Sequence, residues 1–250
     1  MSGYTTLATN RTPALIIYLL DVSASMAQPM GSSRRIDVVS DALAMALRQM
    51  VFRSTKGGRL SPRYRIGMFA YSDRVYDLLE GVRGIDEVVN MGVPELSPLT
   101  TTDTARAFAE AEQVLTAELD GLHASPAPLI CHMTDGEYTG EDPVPIVERI
   151  MQLAVPDGRV LVENIFITDK VLNSPAPDTG QWPGIQPDTP LAGEYAEVLR
   201  RLSSPVPESY RMMMREHRYQ LAPGALMLFP GTSLELVSFG FQMSAATPVR

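Results

Sequence analysis

Two aspartates and two serines of this 250-residue chain have the residue types and the spacing of a metal site. Asp21, Ser23 and Ser25 form an Asp-x-Ser-x-Ser motif directly after an apolar run, and Asp135 follows a later apolar run. Alternate residues of an extended segment point the same way, so both serine hydroxyls can face one ion. Carboxylate and hydroxyl oxygens are hard ligands, which suit Mg²⁺, Mn²⁺ or Ca²⁺ rather than a soft metal. The pattern therefore predicts a site for a divalent cation.

A threonine-rich segment, residues 99–104 with the sequence LTTTDT, places further hydroxyls just before a predicted helix. Two carboxylates just neutralise a divalent cation, and neutral hydroxyls add no charge. We therefore expect the ion to remain electrophilic and to accept one more carboxylate from another molecule. This chemistry favours metal-bridged binding of a partner.

Apolar runs that are typical of strands buried on both sheet faces alternate with segments of helical periodicity. Residues 75–79 are expected to form a short antiparallel edge strand, and Asp103 is a candidate cap for the middle helix. This alternation predicts an α/β fold with a mainly parallel central sheet of about six strands and helices on both faces. In such a sheet the motif segments converge at the carboxyl ends of the strands. The predicted strands are 14–20, 64–71, 128–133, 160–168 and 225–229, and the helical patterns are 38–51, 108–119, 145–153 and 191–202.

Three segments carry a resemblance to a known family: Asp-x-Ser-x-Ser after a buried strand, the threonine segment that opens the middle helix, and Thr134-Asp135-Gly136 after a later strand. In this order and on these elements, they resemble the metal-ion-dependent adhesion site of a von Willebrand factor A domain. The resemblance covers residues 13–168 well and the final strand and helix more loosely. It implies a Rossmann-like fold and a Mg²⁺ site, in which Mn²⁺ or Ca²⁺ could replace Mg²⁺. By position, the implied metal ligands are Asp21, Ser23, Ser25, Thr102 and Asp135.

One departure from the family pattern concerns the middle segment. Glycines are common at the two positions before the family's threonine, but here these positions are Thr100 and Thr101. A stiffer loop is expected, and either residue could be the ligand in place of Thr102.

The resemblance also implies what such a domain does. It implies a non-catalytic interaction module that docks a partner protein through an Asp or Glu of the partner. The C-terminal segment SLELVSFGFQMSAAT loosely resembles bacterial TerY-type tellurite-resistance proteins, which are small, stand-alone and cytoplasmic. Versions of this type often act as adaptors in multi-protein stress-response or defence systems, so an adaptor role in signalling of that kind is implied.

The composition of the chain argues against several classes of protein. The formal net charge of −8 and the isoelectric point near 4.9 argue against nucleic-acid binding, which needs a basic face. No apolar run approaches the roughly 20 residues that cross a bilayer, and the N-terminus lacks the pattern of a signal peptide. The single cysteine, Cys131, fits a reducing cytoplasm. The histidines lack zinc spacing, and we interpret them and Cys131 as structural.

We expect one domain of residues 13–246, with an N-terminal arm of residues 1–12 and a tail of residues 247–250. Residues 171–190 hold five prolines and two glycines and are expected to form an irregular surface insertion before the last strand.

Several alternatives remain open from the residues alone. The Asp-x-Ser-x-Ser motif could cap the first long helix, or the site could fold without metal. The chain could also be a structural subunit with metal-independent contacts, made through the Pro-rich insertion or the C-terminal segment. A metal-dependent phosphohydrolase is less favoured, because Ser23 stands where haloacid dehalogenase-type phosphatases carry their second aspartate. Phosphate-binding and hydrolase motifs are also absent from the sequence. We therefore expect no enzymatic activity.

Overall fold

The computed structural model describes residues 3–168, 171–172, 178 and 180–249. In this part of the chain a seven-stranded sheet forms the centre, with the strand order β7-β6-β5-β1-β2-β3 and with β4 also paired to β2. The pairs along β7-β6-β5-β1-β2 are parallel, whereas β3 and β4 run antiparallel to β2. The strands are β1 (Ala14–Asp21), β2 (Tyr64–Tyr71), β3 (Val75–Asp77), β4 (Arg83–Gly84), β5 (Leu129–Thr134), β6 (Leu161–Phe166) and β7 (Leu228–Pro230).

Helices cover both faces of the sheet, as expected for an α/β fold. Their apolar stripes are set by the three- and four-residue spacings that the sequence shows. The helices of the described residues are α1 (Arg35–Ser54), α2 (Ile85–Met91), α3 (Thr104–Glu118), α4 (Val144–Ile150), α5 (Glu194–Arg201), α6 (Glu208–Glu216) and α7 (Leu234–Ser244). Short 3₁₀ turns lie at Ala24–Ala27 and Leu119–Leu122, and two-residue strands pair as hairpins at 29–34, 55–60 and 154–159.

The central strand β1 shows why the sheet is buried on both sides. All eight of its residues are buried, and the seven apolar ones, residues 14–20, alternate between two apolar cores. Tyr18 faces the core that contains residues of α1 and α7, whereas Ile17 faces the core that contains residues of α3 and α4. A continuous apolar run is therefore needed in this strand, since neither face meets water.

The predicted fold class is confirmed, including the antiparallel edge strand after β2. The strand β4 is an addition that the sequence pattern did not predict. Asp103 caps α3 as predicted, since its Oδ1 accepts the Arg106 backbone N–H at 3.1 Å. The alternative that Asp-x-Ser-x-Ser caps the first long helix is wrong, because α1 begins at Arg35.

The proposed division into arm, domain and tail stays a prediction. Ala8 is buried and pairs with Val249, so residues near the two ends of the chain lie side by side. Residues 173–177 and 179 of the expected insertion lie outside the described residues. Within its described part, Trp182 and Ile185 are buried in the core beside α7.

None of the helices in the described part of the chain is long and apolar enough to cross a bilayer.

Close packing of α7 on the sheet requires a glycine at position 240. A Cβ atom there would lie 2.7 Å from both the Cγ1 and the Cδ1 atoms of Ile165, a core residue of β6. Alanine normally favours a helix over glycine, but here we expect Gly240→Ala to lower the free energy of unfolding by about 1–3 kcal/mol through overpacking. Urea denaturation would measure the change. Gly121→Ala is the control, since a Cβ at Gly121 meets no atom within 4 Å, and equal stability of both variants would contradict the prediction.

Candidate metal site

Asp21 is the last residue of β1, and its side chain is buried at the base of the candidate site. Its Oδ1 accepts the Ser23 backbone N–H at 2.8 Å, and its Oδ2 accepts the Thr134 hydroxyl at 2.6 Å. Burial raises the pKa of this carboxyl to about 6, although these hydrogen bonds lower it in part. A cation bound next to Asp21 would therefore stabilise the ionised form of its carboxyl.

Next to Asp21, three side chains contact one another: those of Ser23, Ser25 and Asp135. The two serine hydroxyls lie 3.0 Å apart. Both approach the same carboxylate oxygen, Asp135 Oδ1, at 2.6 Å for Ser25 and 3.5 Å for Ser23. The loops after β1 and β5 therefore bring together four of the five residues predicted from the sequence, as expected for the carboxyl ends of neighbouring parallel strands.

Thr102, the fifth predicted residue, is joined by its backbone to the loop that follows Asp135. It is buried, its N–H donates to the Thr139 hydroxyl at 3.2 Å, and its carbonyl accepts the Thr139 N–H at 2.9 Å. The loop after Asp135 is thus tied to the threonine segment. Thr100 and Thr101 are exposed, and which of the three threonines would be a ligand stays a prediction.

Hydrogen bonds also join the threonine segment to the first motif. The Ala24 N–H donates to the Thr100 carbonyl at 3.1 Å, and the Leu99 N–H donates to the Val22 carbonyl at 2.6 Å. The buried Ser72, which follows β2, donates its hydroxyl to the Thr101 carbonyl at 2.7 Å. Sequence reasoning missed Ser72, Thr134 and Thr139 as positioning residues. Thr134 directly precedes Asp135 and Thr139 follows it by four residues, so both could have been suspected, whereas a lone serine after β2 carries no signal.

Arg35 is the unexpected member of the site. From the first turn of α1 its Nη1 donates to Asp135 Oδ2 at 2.8 Å. The Asp135 side chain has no exposed surface, and that of Arg35 is 19% exposed. A buried carboxylate needs a counter-charge or several hydrogen bonds, and here Arg35 provides the charge and one hydrogen bond, while the serine hydroxyls provide the others.

The oxygen atoms gathered at this site are suitable ligands for a hard divalent cation. The cluster consists of carboxylate and hydroxyl oxygens, the ligand types that Mg²⁺ and Ca²⁺ prefer. Among the described residues, no group of three or more His, Cys, Asp or Glu side chains lies together as a metal site. A metal at this edge of the sheet would therefore depend on the serine and threonine hydroxyls as well as on Asp21 and Asp135.

Comparison with known proteins gives similarity in structure but not in sequence. No protein-family model and no curated protein matches the chain. The PilB minor pilin from Streptococcus sanguinis is similar with a TM-score of 0.55 and 10% identity, over 94% of this chain and 62% of that chain. Proximal thread matrix protein 1 from the mussel byssus gives a TM-score of 0.53 and 10% identity, over 96% of this chain and 47% of that one.

A further similar structure is the vWF domain of the type V pili tip protein Mfa5 from Porphyromonas gingivalis. It gives a TM-score of 0.40 and 16% identity, over 51% of this chain and 39% of that chain, and carries no argument at that score. The chain spans less than two thirds of each of these three structures. At such identities the likeness concerns the fold alone, and the resemblance to TerY-type proteins stays a prediction. The strand order, with the motif segments at the carboxyl ends of the strands, is that of the Rossmann-like α/β fold that the resemblance to von Willebrand factor A domains implies.

Proposed function

We propose that this chain is a non-catalytic interaction module that binds a divalent cation, with Mg²⁺ as the first candidate, and docks a protein partner through a partner carboxylate. The residues that would hold the ion are those of the predicted set: Asp21, Ser23, Ser25, Thr102 and Asp135. One observation carries the proposal. The hydroxyls of Ser23 and Ser25 converge on one oxygen of Asp135 at the carboxyl edge of the sheet, with Asp21 beneath them.

The charge of the site supports a partner that carries an acid. Two carboxylates balance a divalent ion, and the hydroxyl ligands leave it electrophilic. The loop after Asp135 also carries exposed Glu137, Glu141 and Asp142. These charges attract a cation but repel an acidic partner, so docking of such a partner would depend on the bound metal.

The test of the metal site is a thermal melt of the wild type and of Ser23→Ala in EDTA, Mg²⁺, Mn²⁺ and Ca²⁺. A ligand present at a hundredfold excess over its dissociation constant stabilises the folded state by about 2.7 kcal/mol. For a domain of this size, that corresponds to an increase in Tm of roughly 5–10 °C. We expect this increase in the wild type and its loss in Ser23→Ala.

The matched control for this melt is Ser97→Ala, which removes an exposed serine hydroxyl from the segment that leads to Thr100. It should keep the metal-dependent increase in Tm. An unchanged wild-type Tm in all three metals, or an equal increase in Ser23→Ala, would contradict the metal site. Turnover of a phosphate ester that requires metal and is lost in Asp21→Asn would instead favour an enzyme.

A second candidate function is a structural subunit with metal-independent contacts. A groove of about 270 Å³ lies between α1 and α2, and Val89 and Val93 in its wall are 47% and 44% exposed. Nearby on α1, Phe52 is 80% exposed, which is unusual for so large an apolar side chain. Partner binding that persists at full strength in EDTA and is lost in Val89→Asp would favour this function over the metal-dependent one.

The cellular setting is also part of the proposal. The lone cysteine, Cys131, is buried and unpaired by a disulfide, which supports a cytoplasmic protein. An adaptor role in a bacterial stress-response or defence complex follows from the family resemblance alone. Co-purification from cells with and without EDTA in the lysis buffer would test both the partner and its dependence on metal.

A further inference from the structure

We propose that the Arg35 guanidinium is a built-in counter-cation of the candidate metal site, which must leave Asp135 before a divalent ion can bind there. This inference rests on the proposed function and adds a regulating residue to it. It concerns the competition between an internal cation and the metal for one buried carboxylate.

Both oxygens of Asp135 are already occupied by the protein. Oδ1 accepts the Ser25 hydroxyl at 2.6 Å, and Oδ2 accepts Arg35 Nη1 at 2.8 Å. Because the carboxylate is fully shielded from water, the hydrogen bonds and the ion pair replace its hydration. An ion that binds Asp135 therefore has to share the carboxylate with these internal donors or displace them.

Of these donors, Arg35 is the one whose presence opposes the metal. A serine hydroxyl can turn its lone pairs toward a cation and become a ligand. A guanidinium has no lone pair to offer and stays positively charged at every accessible pH. Its charge would repel a divalent ion held by the same carboxylate, so Arg35 and the metal exclude each other.

The structure gives the displaced side chain a place to go. The backbone of Arg35 is fixed at the start of α1, where its N–H donates to the Gln28 carbonyl at 3.0 Å. Its side chain, however, lines a cleft of about 230 Å³ whose walls include Pro29, Ile167 and Gly231. Rotation of the side chain into this cleft would free Asp135 without moving the helix.

Isothermal titration calorimetry with Mg²⁺ and Mn²⁺ tests the inference on the full chain. If the site is open to metal only in the fraction of molecules in which Arg35 has left Asp135, removal of the guanidinium raises the affinity by the inverse of that fraction. We expect Arg35→Gln to bind Mg²⁺ at least about tenfold more tightly than the wild type. In EDTA the same variant should melt at a lower temperature than the wild type, because Asp135 has lost its counter-charge.

The matched control is Arg34→Gln. It removes the same charge from the neighbouring position, but the Arg34 side chain is 55% exposed and pairs with Asp37. Its metal affinity should stay within about twofold of the wild type, because exposed charges are screened. If Arg35→Gln does not fold, Arg35→Met keeps a long apolar stem without the charge and replaces it in the titration.

The outcomes separate this inference from the proposed function. If the wild type and Arg35→Gln bind metal equally, and Ser23→Ala does not bind it, the metal site stands and the role of Arg35 is overturned. If Arg35→Gln binds metal more weakly than the wild type, Arg35 supports the site and does not compete for it. If neither protein binds any metal, the proposed function fails and this inference fails with it.

Discussion

Lowering the pH from 7 to 4 is expected to destabilise the wild-type protein by about 3 kcal/mol more than a His132→Gln variant. His132 is fully buried in β5, and burial lowers the pKa of its imidazole from 6.5 to about 4. In the unfolded chain the same ring takes up a proton near pH 6.5. The stability that depends on neutral His132 is therefore present above pH 6.5 and is lost as the pH falls through 4.

The neighbours of His132 explain why its neutral form is required. The Asn164 amide nitrogen donates to the Leu202 carbonyl at 3.1 Å and to the Ser203 hydroxyl at 2.9 Å, so Asn164 Oδ1 faces the ring as an acceptor. His132 Nδ1 therefore carries the hydrogen and donates to this oxygen at 2.8 Å. Nε2 then accepts the Tyr71 hydroxyl at 2.8 Å. Protonation of Nε2 would remove that acceptor.

Urea denaturation at several pH values between 4 and 7.5 measures this effect. His132→Gln lowers stability at every pH because it disturbs a packed network, so the quantity to compare is the slope of unfolding free energy against pH. His217→Gln is the control, since His217 is exposed at the end of α6. A slope in His132→Gln equal to that of the wild type would show that another group causes the acid sensitivity.

Raising the pH should have the opposite effect through Glu163, and this is the second large effect we expect. Glu163 is fully buried in β6, beside Cys131 of β5. In the described part of the chain neither of its carboxyl oxygens has a hydrogen-bond partner of good geometry, and only the weakly donating Cys131 thiol lies close enough to lower the pKa of this carboxyl in part. Burial raises the pKa of this carboxyl well above its usual value. Because the folded protein holds the proton more tightly than the unfolded chain, the stability that depends on it is present at acidic pH and is lost as the pH rises.

We expect Glu163→Gln to be more stable than the wild type at alkaline pH, with a difference that grows from pH 5 to pH 9 and reaches several kcal/mol, the order of penalty for an unpaired buried charge. Glutamine has nearly the shape of a protonated glutamate and cannot ionise. Glu148→Gln, an exposed position on α4, provides the control for the loss of a negative charge. Chemical denaturation at pH 5, 7 and 9 measures the difference. A wild type that is more stable than Glu163→Gln at pH 9 would contradict this account.

His132 of β5 and Glu163 of the neighbouring strand β6 make the stability of the protein depend on pH in opposite directions. His132 belongs to the network that faces α3, through its ring contact with Phe108 at 4.9 Å between centroids. Glu163 lies in register with Cys131, whose side chain faces the opposite core. We therefore expect the protein to be most stable at a pH above that at which buried His132 gains a proton and below that at which buried Glu163 loses one. Metal titrations of the candidate site should be made above the Asp21 pKa of about 6, so that this carboxyl is ionised.

Much of the fold follows from the sequence because its signals are local. A continuous apolar run such as 14–20 must be buried on both faces, and the alternation of such runs with helical periodicity leaves few arrangements other than an α/β sheet. Asp21, Ser23 and Ser25 directly follow β1, and Asp135 directly follows β5. Their convergence could be predicted because neighbouring parallel strands end at the same edge.

Other features could not be predicted because they depend on which distant residues meet. Arg35 and Asp135 are 100 positions apart, and Ser72 lies 29 positions from Thr101. An arginine at the start of a helix usually points to solvent, so no local pattern distinguishes Arg35 from its exposed neighbour Arg34. The sequence by itself thus determined the main strands of the sheet and the apolar faces of its long helices, and it supplied the candidate ligand residues of the site. Only the tertiary structure decided which cation now faces Asp135, because a charge pair between distant segments is created by the packing of α1 against the edge of the sheet.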